Sequence, residues 1–133
     1  MDIFILPSGS EHADSLKTVK SFEEHDIKFM WKQVRNLQDI IESDLTGNWY
    51  MIMYDDEHID ENMAKAIPVY LLSQFDVLEC YKKTTDKTGT LSPRLFRGNV
   101  KPQWDTLLPA DIQNLKSTRI LDGWIKPHVQ AGN

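Results

Sequence analysis

Apolar positions along the chain come as short continuous runs and as stripes spaced three or four apart, and the two patterns alternate. Residues 3–6 form an apolar run that stops at Pro7-Ser8-Gly9-Ser10, the pattern of a buried strand entering a loop. Ala13, Leu16, Val19 and Phe22 then recur every three residues, which predicts a helix over about 12–23. Residues 27–31 are a second strand candidate. Val34, Leu37, Ile40 and Ile41 make another helical face ending near Ser43. Residues 49–54 are apolar on both alternating faces, as expected of a central strand covered on both sides.

Asp60 is a good N-cap for a helix through Met63, Ala64, Ile67, Tyr70 and Leu71. Pro68 lies within that pattern, and an interior proline costs about 3 kcal/mol, so a kink or two short helices are expected there. Residues 76–82 and 91–97 read as strands around a polar turn over 84–90, either a hairpin or neighbours joined by a loop. Residues 109–116 are a short helix candidate, and past Ile125 the chain reads as a tail. The alternation implies one α/β domain, a three-layer sandwich with a mainly parallel sheet and an antiparallel part at the late strand pair. Its core spans about residues 2–99, with a C-terminal helix and tail over 100–133.

Composition narrows the function. The chain has 133 residues, enough for one compact domain, with 41% apolar and 26% charged residues, as in a globular protein. A net charge of -5 argues against a general nucleic-acid coat, which needs a basic surface. Cys80 is the single cysteine, so neither an intrachain disulfide nor a cysteine-based zinc site can form within one chain. No apolar stretch approaches the roughly 20 residues of a membrane span, and the N-terminus lacks the basic region of a signal peptide. The expectation is a cytoplasmic protein.

Candidate chemistry centres on Asp55, Asp56 and Glu57, three carboxylates at the end of the 49–54 strand, with Asp60 and Glu61 behind them. Ligands of open α/β sheets bind beyond the carboxyl ends of the strands. Adjacent carboxylates repel, and a divalent cation such as Mg²⁺ or Mn²⁺ removes the conflict. The alternative is a solvated turn whose charge favours a helix N-terminus by roughly 0.3–1 kcal/mol per group. Arg94 and Arg97 flank Leu95-Phe96 and, on a strand, point to opposite faces, so at most one reaches a diphosphate; solvated arginines are the alternative. Lys82, Lys83 and Lys87 read as solvated charge around a turn. The four histidines show no metal-site spacing, and there is no Gly-x-Ser-x-Gly elbow or Gly-x-x-x-x-Gly-Lys loop.

Three segments carry a resemblance. "GNWYMIMYDDEHIDENM" resembles the nucleotide-sugar-binding stretch of the inverting family 2 glycosyltransferases, which have the GT-A fold. "DIFILPSGSEHADSLKTVKSF" resembles their first strand, loop and helix. "SPRLFRGN", residues 92–99, resembles the Arg-Leu-Phe-Arg segment that follows their acidic motif.

The resemblance implies a metal-assisted transfer. Asp-x-Asp-like carboxylates hold Mn²⁺ or Mg²⁺, and the metal holds the diphosphate of a nucleotide-sugar donor whose sugar passes, with inversion, to an acceptor. Carried over, Asp56 or Glu57 is the metal ligand, with Asp55 supporting. Pro7, Ser8 and Gly9 line base and ribose, and Arg97 serves the nucleotide. The register of the acidic motif stays open.

Two departures accompany the resemblance. The second strand is followed by Lys32 rather than by the family's base-gripping acidic residue; Trp31 is there to stack on a base or to fill the core. The family's general base follows the acidic motif, often in a Glu-Asp pair, whereas here Asp105, Asp111 and Asp122 are the acids after Asn99. Asp122, in "LDGW", is the candidate base, and a turn aspartate is the alternative. Three functions therefore stand: an inverting glycosyltransferase, a non-catalytic relative that binds a nucleotide, sugar or protein, and an unrelated doubly wound domain with an ordinary acidic loop.

Overall fold

The structure is a computed structural model in which residues 1–84, 88–109 and 114–129 are described. The described elements run β1 (Asp2–Leu6), α1 (Ser15–Glu23), β2 (Met30–Gln33), α2 (Leu37–Ile41), β3 (Trp49–Tyr54), β4 (Glu57–Ile59), α3 (Glu61–Tyr70), β5 (Val77–Lys83), β6 (Gly89–Arg97), β7 (Pro102–Gln103), β8 (Thr106–Pro109), β9 (Ser117–Arg119) and β10 (Ile125–Pro127). The helix expected over 109–116 falls mainly on residues 110–113, outside the described residues, as do Lys87 and Asp111.

Local chemistry explains the helix starts. Asp14, Asn36 and Asp60 each sit in extended backbone and accept a hydrogen bond from the amide three residues on, at Lys17, Asp39 and Met63. Each cap satisfies an amide that the helix itself leaves unpaired, a contribution of about 1 kcal/mol. Helix α3 continues through Pro68, which falls in its last turn, instead of splitting in two.

The expected three-layer sandwich with a mainly parallel sheet is not what forms. The protein is built mostly of strands, in a curled mixed sheet that makes a half-barrel. The order is β2-β1-β3-β6-β5-β10-β4, with β9 also paired to β5. β1 is parallel to β2 and β3, whereas β6 is antiparallel to both β3 and β5, and β10 is antiparallel to β4.

Two features cause the difference. The chain expected to trail off after Ile125 instead forms β10, which joins β4 to β5 and curls the sheet back on itself. Among the described residues, the second face also carries only the five-residue α2 in place of a full helical layer. One face of β1 and β3 presents Ile3, Ile5, Trp49, Met51 and Met53 to Val19 and Phe22 of α1 and to Met63, Ala64 and Ile67 of α3. The other presents Phe4, Leu6, Tyr50 and Ile52 to Ile40 of the five-residue α2, to Phe96 and to Val100. Strand alternation thus sends β1 and β3 side chains into two cores, and each fully buried apolar side chain contributes about 1.5–3 kcal/mol.

Side chains of α1 cover the outer edge of β4. Thr18 Oγ1 donates to the Glu57 carbonyl at 2.6 Å, and Ser21 Oγ accepts from the Ile59 amide at 3.2 Å. An edge strand otherwise open to pairing with another chain is closed by two hydroxyls. Among the described residues, no helix is long and apolar enough to cross a membrane.

Candidate functional site

The parallel strands β1, β2 and β3 end at a common rim. Val34 N donates to the Ile5 carbonyl at 2.9 Å, and Asp55 N donates to the Leu6 carbonyl at 3.0 Å, so the chain leaves all three strands in register. Asp55 Oδ1 accepts from both Ser8 N (2.9 Å) and Ser8 Oγ (2.5 Å), while the Asp55 carbonyl accepts from Asp14 N at 2.7 Å. Gly9 has φ +74°, a left-handed conformation that favours glycine, and it lets the loop turn away from the strand ends. The result is a crevice of about 370 Å³ lined by Ile5, Pro7, Ser15, Gln33, Val34, Arg35 and Asp55.

This crevice has the makings of a small-molecule site: apolar walls at Ile5, Pro7 and Val34, an amide at Gln33, a hydroxyl at Ser15 and a cation at Arg35. Arg35 grips Asp39 through Nε at 3.1 Å and a terminal nitrogen at 3.2 Å, which holds its head beside the opening. Of the expected nucleotide-binding residues, Pro7, Ser8 and Asp55 meet here, with Gly9 next in the loop.

Arg97 is elsewhere. It pairs in register with Trp49, the first residue of β3, so it lies about 20 Å along the strand from Asp55 at about 3.3 Å per residue. It donates to the Ser73 and Phe75 carbonyls and stacks over Trp49 with 4.5 Å to the ring centroid.

Glu57 points the other way, into the half-barrel. Its side chain is 1% exposed. Oε1 accepts from Arg94 at 2.7 Å and from Tyr54 N at 2.8 Å; Oε2 accepts from Arg94 at 2.9 Å and contacts Lys82 Nζ at 2.5 Å. Arg94, expected as a strand arginine on one face or the other, is buried as well, and it also donates to the Ile52 carbonyl and Ser92 Oγ. Burial pushes the Glu57 carboxyl up, but hydrogen bonds and charge from Arg94 and Lys82 outweigh it and hold the group below the usual carboxylate range. Burial likewise pulls the Arg94 guanidinium down, and Glu57 more than restores it.

The expected Mn²⁺ or Mg²⁺ site does not fit these contacts. A metal at Glu57 would have to displace two cations from a buried carboxylate, and Asp55 spends one oxygen on Ser8. Asp56, next in the turn, brings only one carboxylate, and its carbonyl accepts from His128 N. Among the described residues, no three His, Cys, Asp or Glu side chains gather to hold a metal ion. Asp122, the candidate base, is exposed in the loop before β10. That loop packs on the start of α3, where Trp124 N donates to Asp60 Oδ1, while the opposite end of β10 meets Asp56. Trp31 is 38% exposed on β2, at the sheet edge, rather than in the core.

Sequence reasoning missed two clusters. One is the Glu57–Arg94–Lys82 group. Its signal was the alternation of Glu57 and Ile59, which places both on the inner face once β4 is read as a strand. The other is His58 and His128, whose Nδ1 atoms lie 3.1 Å apart. Their rings are 14° from parallel with centroids 5.4 Å apart, the separation of two rings lying end to end across a hydrogen bond rather than face to face. His128 Nε2 is 3.0 Å from the Asp14 carbonyl, which only accepts, so Nε2 carries a proton; in the neutral ring Nδ1 then accepts from His58. Burial, and then His128, Lys17 and Lys126, hold His58 below the ordinary imidazole range.

Comparison with protein-family models finds no match, and comparison with curated proteins finds none either.

Proposed function

We propose that this protein binds a nucleotide, of the sugar-nucleotide class that the resemblance implies, in the crevice beyond β1, β2 and β3. The observation that carries the reading is the double hydrogen bond from Ser8 to Asp55 Oδ1, which fixes the Pro7–Gly9 loop beside a polar-rimmed, apolar-walled opening at the carboxyl ends of three parallel strands. A base fits the walls formed by Ile5, Pro7 and Val34. Gln33 Nε2 donates to Ser15 Oγ at 2.6 Å, which leaves the Gln33 amide oxygen and the Ser15 hydroxyl proton to meet base and ribose, and Arg35 offers charge to phosphate.

The reading is one of binding. Transfer would need a base at the acceptor, and Asp122 stands by α3, away from the crevice.

The test is calorimetric titration of uridine, guanosine, UDP and GDP into the full chain. One of these ligand pairs is expected to bind, and Asp55→Asn and Val34→Asp are expected to weaken it by at least about tenfold, roughly 1.4 kcal/mol. The absence of binding by every ligand, or binding untouched by both substitutions, overturns the reading.

A further inference from the structure

We infer that the groove between α1 and β4 is a second ligand site, apart from the crevice, which binds a small tetrahedral dianion of the phosphate class on Lys17, Lys20 and His58 and takes up a proton with it. The inference does not rest on the nucleotide reading. The groove has a volume of about 590 Å³, with Asp14, Lys17, Lys20 and Glu24 on one wall and His58 and Ile59 of β4 on the other. Positions 17, 20, 21 and 24 fall three or four apart, so one face of α1 presents both lysines to β4. Neither lysine forms an ion pair among the described residues, where every pair engages another cation. Lys17 Nζ reaches only the His128 carbonyl, at 3.5 Å. Asp14 spends Oδ1 on the Lys17 amide as the helix cap, and Glu24 is exposed at the far end.

His58 supplies the third contact. Its Nδ1 is committed to His128 Nδ1, so Nε2 is the ring nitrogen left for the groove that the ring lines. In the neutral ring this Nε2 is an acceptor. A proton added there leaves the bond to His128 intact and makes Nε2 a charged donor. Burial, and then His128, Lys17 and Lys126, oppose that proton, while Asp60 favours it. The groove's own acids and lysines cancel: Asp14 and Glu24 against Lys17 and Lys20. Net positive charge therefore arrives only with the proton on His58. A dianion seated on Lys17 offsets the repulsion that keeps the proton away, so anion and proton bind together. Lysine serves as a phosphate-binding point charge in such a role.

The experiment titrates sodium sulfate, a dianion that does not itself titrate near neutral pH, into the full nitrogen-15-labelled chain at pH 6 and at pH 8. Sodium chloride at equal ionic strength is the control. Amide shifts locate the site, and the ring protons of His58 report its protonation. The expected result at pH 6 is saturable shifts at Lys17, Lys20, Ser21 and His58 that chloride does not produce. Sulfate raises the pH at which His58 titrates, and it binds at least about fivefold more weakly at pH 8. His58→Gln removes this pH dependence. Lys20→Met tests the site without touching the histidine pair, and it weakens binding at pH 6 by about fivefold or more. The absence of a saturable shift, shifts confined to Arg35 and the crevice, equal binding at the two pH values, or wild-type binding by Lys20→Met overturns the inference.

Discussion

Glu57 and Arg94 face each other inside the half-barrel and share two hydrogen bonds, of 2.7 and 2.9 Å, from opposite sides of the sheet closure. The pair ties β4 to β6, two strands that are not neighbours in the sheet. A buried pair of this kind adds little net stability compared with an apolar isostere, but losing one partner strands the other charge away from water. Glu57→Gln is therefore expected to destabilise the protein by about 3–5 kcal/mol. Glu57→Gln combined with Arg94→Met is expected to cost less than the sum of the two single changes. Urea unfolding of the three variants measures this; strict additivity would mean that the two side chains do not act as a pair.

The same group sets an acid limit. Glu57 is held below the usual carboxylate range when folded, so it binds its proton more weakly in the folded chain than in the unfolded one. Its contribution is fully present above the unfolded value of about 4.3 and is lost as pH falls through the lower, folded value. Stability measured from pH 7 downward should drop steeply below about pH 4.3 in the wild type and less steeply in Glu57→Gln. Identical acid limbs for the two proteins would remove Glu57 as the cause.

Gly123 is the tightest glycine next to a helix start. Its φ is +87°, and a Cβ there would lie 2.2 Å from Met63 N and 2.6 Å from Asp60 Oδ1. Gly123→Ala is expected to cost at least about 1–3 kcal/mol, through backbone conformation and through displacement of the Asp60 cap. Thermal unfolding of the variant tests this, and an unchanged midpoint would contradict the packing of the 121–124 loop against α3.

Cys80 lies on β5, fully buried, and burial pushes its thiol up to about 12. The thiolate is the reactive form, so alkylation at pH 8 should be slow in the native protein and fast in denaturant. Rapid native-state modification would show that β5 opens.

Much of the chain's layout was legible in its pattern. The double-faced apolar run at 49–54 became β3, buried and flanked by β1 and β6, and the Asp60 cap started α3 where polarity changed. What the pattern did not carry was the closure. Ile125–Pro127 is three residues long with one fully buried side chain, too short for periodicity to mark as a strand, and it becomes one only because β4 and β5 offer it partners. Of the candidate site, what was legible was a juxtaposition of residues. Pro7, Ser8 and Asp55 met because a loop after one parallel strand and an acid after its neighbour must share a rim. Glu57 went elsewhere because β4 resumes alternation after the turn, and the arginine that claims it lies 37 residues on, a pairing that only the folded sheet creates.

The most direct measurement is amide chemical-shift mapping of the nitrogen-15-labelled protein titrated with UDP or GDP in EDTA. Saturable shifts at Ser8, Gly9, Ser15, Gln33, Arg35 and Asp55, with Trp49 and Arg97 unmoved, are the predicted result. Shifts centred around Arg97, or no saturable shift with either nucleotide, would contradict a nucleotide site at the carboxyl ends of β1, β2 and β3.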